Sequence, residues 1–180
     1  MRLSIRDMCI ISVCTAMVVG VSQLAVPLAG GVPITLQTFA IALSGVVLGA
    51  KKGAVCAVVY VLLGAIGLPV FTGFMGGFHR LIGPTGGFII SFPFMAFVIG
   101  YYAEKNKAIW LVLGLAIGVV VNLSMGTLQF AFVTGNSLPV AFTMAMAPFI
   151  VVEMVKMAFV FVVGTAMRKV LVKSGLLTTV

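Results

Sequence analysis

Apolar positions in this chain come in long runs rather than in alternation. Six runs are separated by short polar or glycine-rich segments: Met8 to Val26, Ile34 to Ala50, Gly53 to Val70, Pro84 to Tyr102, Ile109 to Phe132, and Val140 to Met167. A helix crosses a hydrocarbon core of about 30 Å with about 20 residues at 1.5 Å each. The first five runs are near that length and the sixth exceeds it. None alternates as a barrel strand would, so the pattern predicts helices. The expected fold is an all-α integral membrane protein, a bundle of six transmembrane helices forming a single domain over residues 1–180.

Composition agrees. Charged residues make up 8% of the chain and hydrophobic residues 62%, whereas a soluble domain is about a quarter charged. That excludes a disordered chain, a disulfide scaffold and an ordinary soluble globule. The three cysteines, Cys9, Cys14 and Cys56, are scattered through apolar runs and suit neither a disulfide framework nor a zinc site. The net charge of +8 would signal nucleic acid only if it were gathered on a soluble face. The expected surroundings are a lipid bilayer, with no nucleic-acid partner.

Charge then orients the spans. Arg2 and Arg6 precede the first run, Lys51 and Lys52 separate the second and third, Lys105 and Lys107 separate the fourth and fifth, and Arg168, Lys169 and Lys173 follow the sixth. These segments alternate, so all nine basic residues share one side, which the positive-inside rule makes cytoplasmic. Both termini are then expected in the cytoplasm. Arg2 and Arg6 ahead of an apolar run imitate a signal peptide, but no small-residue cleavage site followed by a soluble domain is present, and a retained first helix is expected.

With Asp7 and Glu104 assigned beside the cytoplasmic cations, three charges remain: Arg80, Glu153 and Lys156. A charge at the centre of a membrane helix costs about 2.5–3.5 kcal/mol on insertion scales, so each needs a reason. Glu153 and Lys156 are three apart, on one helix face and able to pair. Measured from Arg168 they lie roughly 22 and 18 Å along the axis, in the outer half of the core. Arg80 approaches from the outer segment after the third run. A salt bridge tying the last helix to a neighbour is one reading, and a polar pocket for a small ligand with an anionic group is the other. Pro148 suits the first turn of a helix, and Pro148 to Met167 suffices to span. The preceding Val140 to Ala147 is then free to fold over the outer mouth.

The outer segment Gly73 to Gly87 holds six glycines in fifteen residues, which let backbone approach a ligand closely. A flexible hairpin is the alternative, but Phe74, Phe78 and Arg80 interrupt the glycines and Pro84 stiffens the exit, favouring a shaped loop. It is not a phosphate-binding loop, since no Gly-Lys-Ser/Thr ending occurs, and ATP hydrolysis is not expected of this chain. Neutral polar groups within the runs are Thr35, Gln37, Thr38, Tyr60, Asn122, Ser124 and Gln129. Gln37 and Asn122 are candidates to hydrogen-bond a ligand, or else glue between helices worth about 0.6 kcal/mol each. His79 is the only histidine, which argues against a metal site, a catalytic dyad or an intramembrane enzyme. Ser12, Ala16 and Gly20 repeat at four-residue spacing and make a smooth stripe for close helix packing, within the chain or with a partner.

Three segments, Val32-Pro-Ile-Thr-Leu-Gln-Thr38, Leu62-Leu-Gly-Ala-Ile-Gly-Leu-Pro-Val-Phe71 and Gly83-Pro-Thr-Gly-Gly-Phe88, resemble the signature segments of the BioY family, the biotin-capturing S components of energy-coupling factor vitamin transporters. The resemblance runs in order over nearly the whole chain and ends on an acid-x-x-Lys pair in the last helix. It implies a non-enzymatic six-helix bundle that binds biotin near its outer face and needs no cofactor. It also implies partnership with a transmembrane coupling subunit and two cytoplasmic ATPases in the plasma membrane, with Ser12, Ala16 and Gly20 as the docking face. The family's acid-x-x-Lys pair falls on Glu153 and Lys156, where most members carry Asp at the acid position. Arg80, Gln37, Tyr60, Gly76, Gly77, Thr85, Gly86 and Asn122 are the further candidate ligand-binding residues, with Phe71, Phe74, Phe78 and Tyr60 as apolar walls. Alternatives are another vitamin, such as thiamine or riboflavin, in the same pocket, or a structural membrane subunit that binds no small molecule.

Overall fold

A computed structural model describes residues 4–26 and 32–175; Arg2 lies outside them. In chain order the elements are α1 (Ile5–Ser22), β1 (Ala25–Val26), β2 (Ile34–Thr35), α2 (Gln37–Leu48), α3 (Ala50–Ala65), α4 (His79–Ile82), α5 (Gly86–Ala103), α6 (Ala108–Thr134), α7 (Leu138–Ala145) and α8 (Ala147–Lys173). Four of these, α1, α5, α6 and α8, are long and apolar enough to cross a membrane. With 12 and 16 residues, α2 and α3 extend only about 18 and 24 Å, less than the core thickness of about 30 Å. The hydrophobic runs therefore overstate these two helices.

The differences from the hydrophobic runs have local causes. The first helix stops at Ser22 rather than Val26, and Pro27 holds Val26 in extended backbone. The chain then leaves in a short ribbon, Ala25 opposite Thr35 and Val26 opposite Ile34, that hydropathy alone did not reveal. The last run divides at Met146 into α7 and α8. Within a continuous helix Pro148 would forfeit a backbone hydrogen bond, whereas at the start of α8 no such bond is due. A separate helix, Leu138–Ala145, thus precedes α8 and packs on α6 and α8.

One residue, Gly49, connects α2 to α3 with φ +81°, a conformation L side chains rarely adopt. Around it the two helices double back so closely that a Cβ on Gly53 would lie 2.9 Å from the Gly45 Cα. By contrast, α2 and α8 run parallel, since Thr38 meets Glu153 at one end and Val46 meets Arg168 at the other. Helix α5 packs against α2, α3 and α6 and is the most buried of the four long helices; α1 is the least.

The basic segments meet at one end of the bundle. Ser4 caps α1 in a reciprocal box with Asp7, and Asp7 pairs with Lys52 at 2.5 Å. The Glu104 carboxylate accepts from the Ala50 amide at 2.9 Å, capping α3. Arg168 donates to the Val46 carbonyl at 2.9 Å, capping α2, and Arg6 donates to the Gly175 carbonyl. Four chain segments that are remote in sequence are thereby fixed at one level.

Candidate functional site

A cavity of about 400 Å³ lies at the opposite end, within the range of small-molecule sites. Its walls come from the β1–β2 ribbon (Ala25, Val32, Pro33, Thr35), the start of α2 (Gln37, Thr38), the α3–α5 segment (Phe71, Thr72, Gly73, Met75, Arg80, Thr85), and α5, α6 and α8. Phe88, Ile89, Phe92, Leu123 and Phe149 make the deeper walls largely apolar. Each element is placed by the fold already described. The parallel run of α2 beside α8 brings Thr38 to Glu153, and the short α3 leaves the following loop free to return over the cavity.

Glu153 and Lys156 are both buried and form an ion pair one helical turn apart on α8. Lys156 also donates to the Thr35 carbonyl at 3.0 Å and to the Thr38 hydroxyl at 2.5 Å. Thr38 in turn donates to Glu153 Oε1 at 2.9 Å. All three ammonium hydrogens have acceptors, so the lysine is occupied within the protein. Glu153 Oε1 takes two donors, while its Oε2 is buried with no partner. An ionised carboxylate accepts only, so this wall offers one unused, strong acceptor.

A complementary group comes from the loop. Arg80 lines the same cavity, and its Nε is buried without a partner. Asn122 donates both amide hydrogens, to the Phe88 carbonyl at 3.0 Å and the Ser91 hydroxyl at 2.7 Å. Its carbonyl oxygen is therefore the group left to accept. Gln37 Nε2 donates to the Tyr60 hydroxyl at 2.7 Å, which donates onward to the Val70 carbonyl at 3.0 Å. Such an apolar chamber, with acceptors deep in its wall and a guanidinium from its loop, suits a mostly apolar ligand bearing N–H donors and an anionic group.

Comparison with known proteins places this arrangement. A model of the BioY family matches residues 1–173. The chain belongs to the BioY family. It is 38% identical over 158 residues to the biotin transporter BioY of Thermotoga maritima, covering 86% of this chain and 91% of that protein. It is 37% identical to the biotin transporter BioY2 of Lactococcus lactis, over 90% of each chain. Its fold matches the crystal structure of an S-component for biotin from an ECF-type ABC transporter, with TM-score 0.85, 28% identity and 92% of both chains covered. With its four long apolar helices, this BioY protein is a multi-pass membrane protein of a transporter family, not an enzyme.

Of the residues singled out in this BioY sequence, Arg80, Glu153, Lys156, Gln37, Thr85 and Asn122 come together at the cavity, as does Phe71. Tyr60, Gly76, Gly77 and Gly86 stand behind the lining. Tyr60 is fully buried and positions Gln37. Gly76 makes room for the Leu68 carbonyl, 2.2 Å from where a Cβ would sit, and Gly86 for the Leu81 carbonyl at 1.8 Å. Gly77 turns the chain at φ +104°. Phe74 and Phe78 are exposed and form no wall. No residue of α7 lines the cavity; that helix instead backs Val32, Leu123 and Phe149 in a small apolar cluster. Among the polar residues not proposed for ligand binding, Thr38 is the most consequential, because it bridges the ion pair. Its mate on the same strand-to-helix junction, Thr35, contributes a carbonyl, which no side-chain pattern could disclose.

Proposed function

We propose that this chain is a biotin-capturing transport subunit, one six-helix membrane domain that binds biotin at the end of the bundle away from its basic segments. The observation that carries the reading is the unpartnered carboxylate oxygen of buried Glu153 on the wall of a largely apolar cavity. Biotin combines an apolar bicyclic ring and chain with a ureido group bearing two N–H donors and a carboxylate. Glu153 Oε2 accepts a ureido N–H, and Asn122 supplies a second acceptor nearby. Lys156 holds the geometry of Glu153, directly and through Thr38. Arg80 pairs with the valerate carboxylate, and Thr85 and Gln37 complete the polar rim. The names of the relatives and of the structural neighbour support the same ligand.

In this reading the basic end faces the cytoplasm with both termini, as the positive-inside rule requires, and the cavity faces outward across the plasma membrane. Delivery inward depends on an energy-coupling module of a transmembrane coupling subunit and two cytoplasmic ATPases. Ser12, Ala16 and Gly20 are all exposed along α1, and a Cβ on Gly20 would meet nothing within 4 Å. That open strip of small residues is the docking face for the coupling subunit. The test is thermal unfolding of the purified protein with biotin, thiamine or riboflavin. Ligand at 100 times its Kd stabilises by about 2.7 kcal/mol, so biotin alone raises the transition. A rise with thiamine or riboflavin alone would reassign the pocket, and no rise with any of them would leave a structural subunit.

A further inference from the structure

The segment joining α3 to α5 is built unlike a water-facing loop. Its exposed residues include Ile66 at 76%, Phe74 at 72%, Phe78 at 64% and Ile82 at 61%, with Leu68 and Met75 also exposed. Between Ile66 and Pro84 the other exposed positions are glycine or proline, apart from His79. The one full charge, Arg80, is turned to the cavity rather than outward. Loops in water carry polar side chains, and an apolar patch of this kind marks a surface that something apolar covers.

Phe74 is held outward against its own preference. Its φ of +55° is rare for a bulky residue. The turn beneath it is closed by paired backbone hydrogen bonds between Phe71 and Met75, at 2.8 and 3.2 Å. Its amide donates to the Gln23 side chain at 2.8 Å, which anchors the turn to the end of α1. The exposure is thus a fixed feature of the fold.

What covers the patch follows from its continuity. Along α3, Val58 and Leu62 are exposed at four-residue spacing and lead directly to Ile66. Along α5, Phe97, Phe94 and Ile90 are exposed in a stripe that leads back towards Ile82. On a membrane-spanning bundle such stripes face lipid, and the loop prolongs both, with His79 the one exposed polar side chain along it. Phenylalanine and leucine on such an apolar face insert at the boundary between headgroups and acyl chains.

We propose that the α3–α5 segment is seated in the lipid headgroup region, with Phe74 and Phe78 as its anchors, so that the cavity opens at the membrane interface rather than into bulk water. The proposal needs only the membrane assignment and stands whatever ligand the cavity takes. Trp110 is the single native tryptophan, at the far end of the bundle where it stacks on Tyr102. Phe74→Trp and Phe78→Trp, each in a Trp110→Phe background, therefore give one reporter apiece in the full chain reconstituted into phosphatidylcholine vesicles. The expected result is loss of most of the emission with lipids brominated just below the headgroup, and little loss with aqueous iodide. Strong iodide quenching without bromolipid quenching would place the loop in water and overturn the proposal. Protection from both would show a protein covering, a second copy of this chain included, and would overturn it equally. If Phe74→Trp fails to fold, as its strained backbone permits, the Phe78→Trp reporter decides alone.

Discussion

Glu153→Gln changes one atom of the side chain and reverses the chemistry of the cavity wall. Lys156 and Thr38 both donate towards Oε1 of Glu153. In the variant those two donors fix the amide with its oxygen towards them, because the opposite orientation sets an NH2 against an ammonium. The NH2 therefore takes the place of the unpartnered Oε2, and an acceptor aimed at a ligand N–H becomes a donor. A hydrogen bond to a charged group contributes about 1.5–3 kcal/mol, so biotin affinity falls roughly 10- to 150-fold. The variant leaves Lys156 a buried cation without its counter-charge, which lowers stability by up to about 3–5 kcal/mol, although the Thr35 carbonyl, the Thr38 hydroxyl and the amide oxygen still accept from it. Titration calorimetry of the variant in lipid nanodiscs reads the affinity, and thermal unfolding without ligand reads the stability. A folded variant that binds biotin within about threefold of the wild type (under 1 kcal/mol) would refute the assignment of Glu153 Oε2 to the ureido group.

Arg80→Ala lowers affinity for biotin at least about tenfold, from the loss of a charge-assisted contact, but leaves binding of biotin methyl ester little changed; equal losses for both ligands would detach Arg80 from the carboxylate. Lys156→Met strands a buried carboxylate and costs about 3–5 kcal/mol of stability, whereas Glu153→Leu combined with Lys156→Met restores most of it. The double variant folds and binds no biotin, which separates the pair's structural role from its ligand role by unfolding and equilibrium binding measured together. Gly20→Leu leaves biotin affinity unchanged in the isolated subunit, since space around Gly20 is open, and reduces recovery of the coupling subunit and ATPases in affinity purification of the co-expressed complex.

Some of this protein was fixed by its one-dimensional pattern. Hydropathy is a property of contiguous residues, so the long helices α1, α5, α6 and α8 appear in it directly. The alternation of lysines and arginines also survives folding, because the caps that Glu104 and Arg168 make on α3 and α2 hold those segments at one end. Glu153 and Lys156 stood out because charge is costly in an apolar helix and three-residue spacing guarantees a shared face. Arg80 stood out because no topological role accounted for it.

Other features depend on groups that meet only in three dimensions. Thr38 looked like ordinary interhelical polarity until the parallel packing of α2 and α8 set it between Glu153 and Lys156. The Thr35 carbonyl is backbone, and its use follows from the β1–β2 ribbon rather than from any side chain. Glycines in the loop looked like ligand-facing backbone, yet Gly76 and Gly86 are there to admit neighbouring carbonyls, a requirement set by distance alone. Phe71 and Phe74 share a composition and a loop, but a turn of left-handed backbone sends one into the cavity and the other outward. Sequence thus determined which residues carry charge and which segments prefer lipid, both of which are local energies. Only the tertiary structure decided which donors are already satisfied, and hence that one oxygen of Glu153 is left for a ligand.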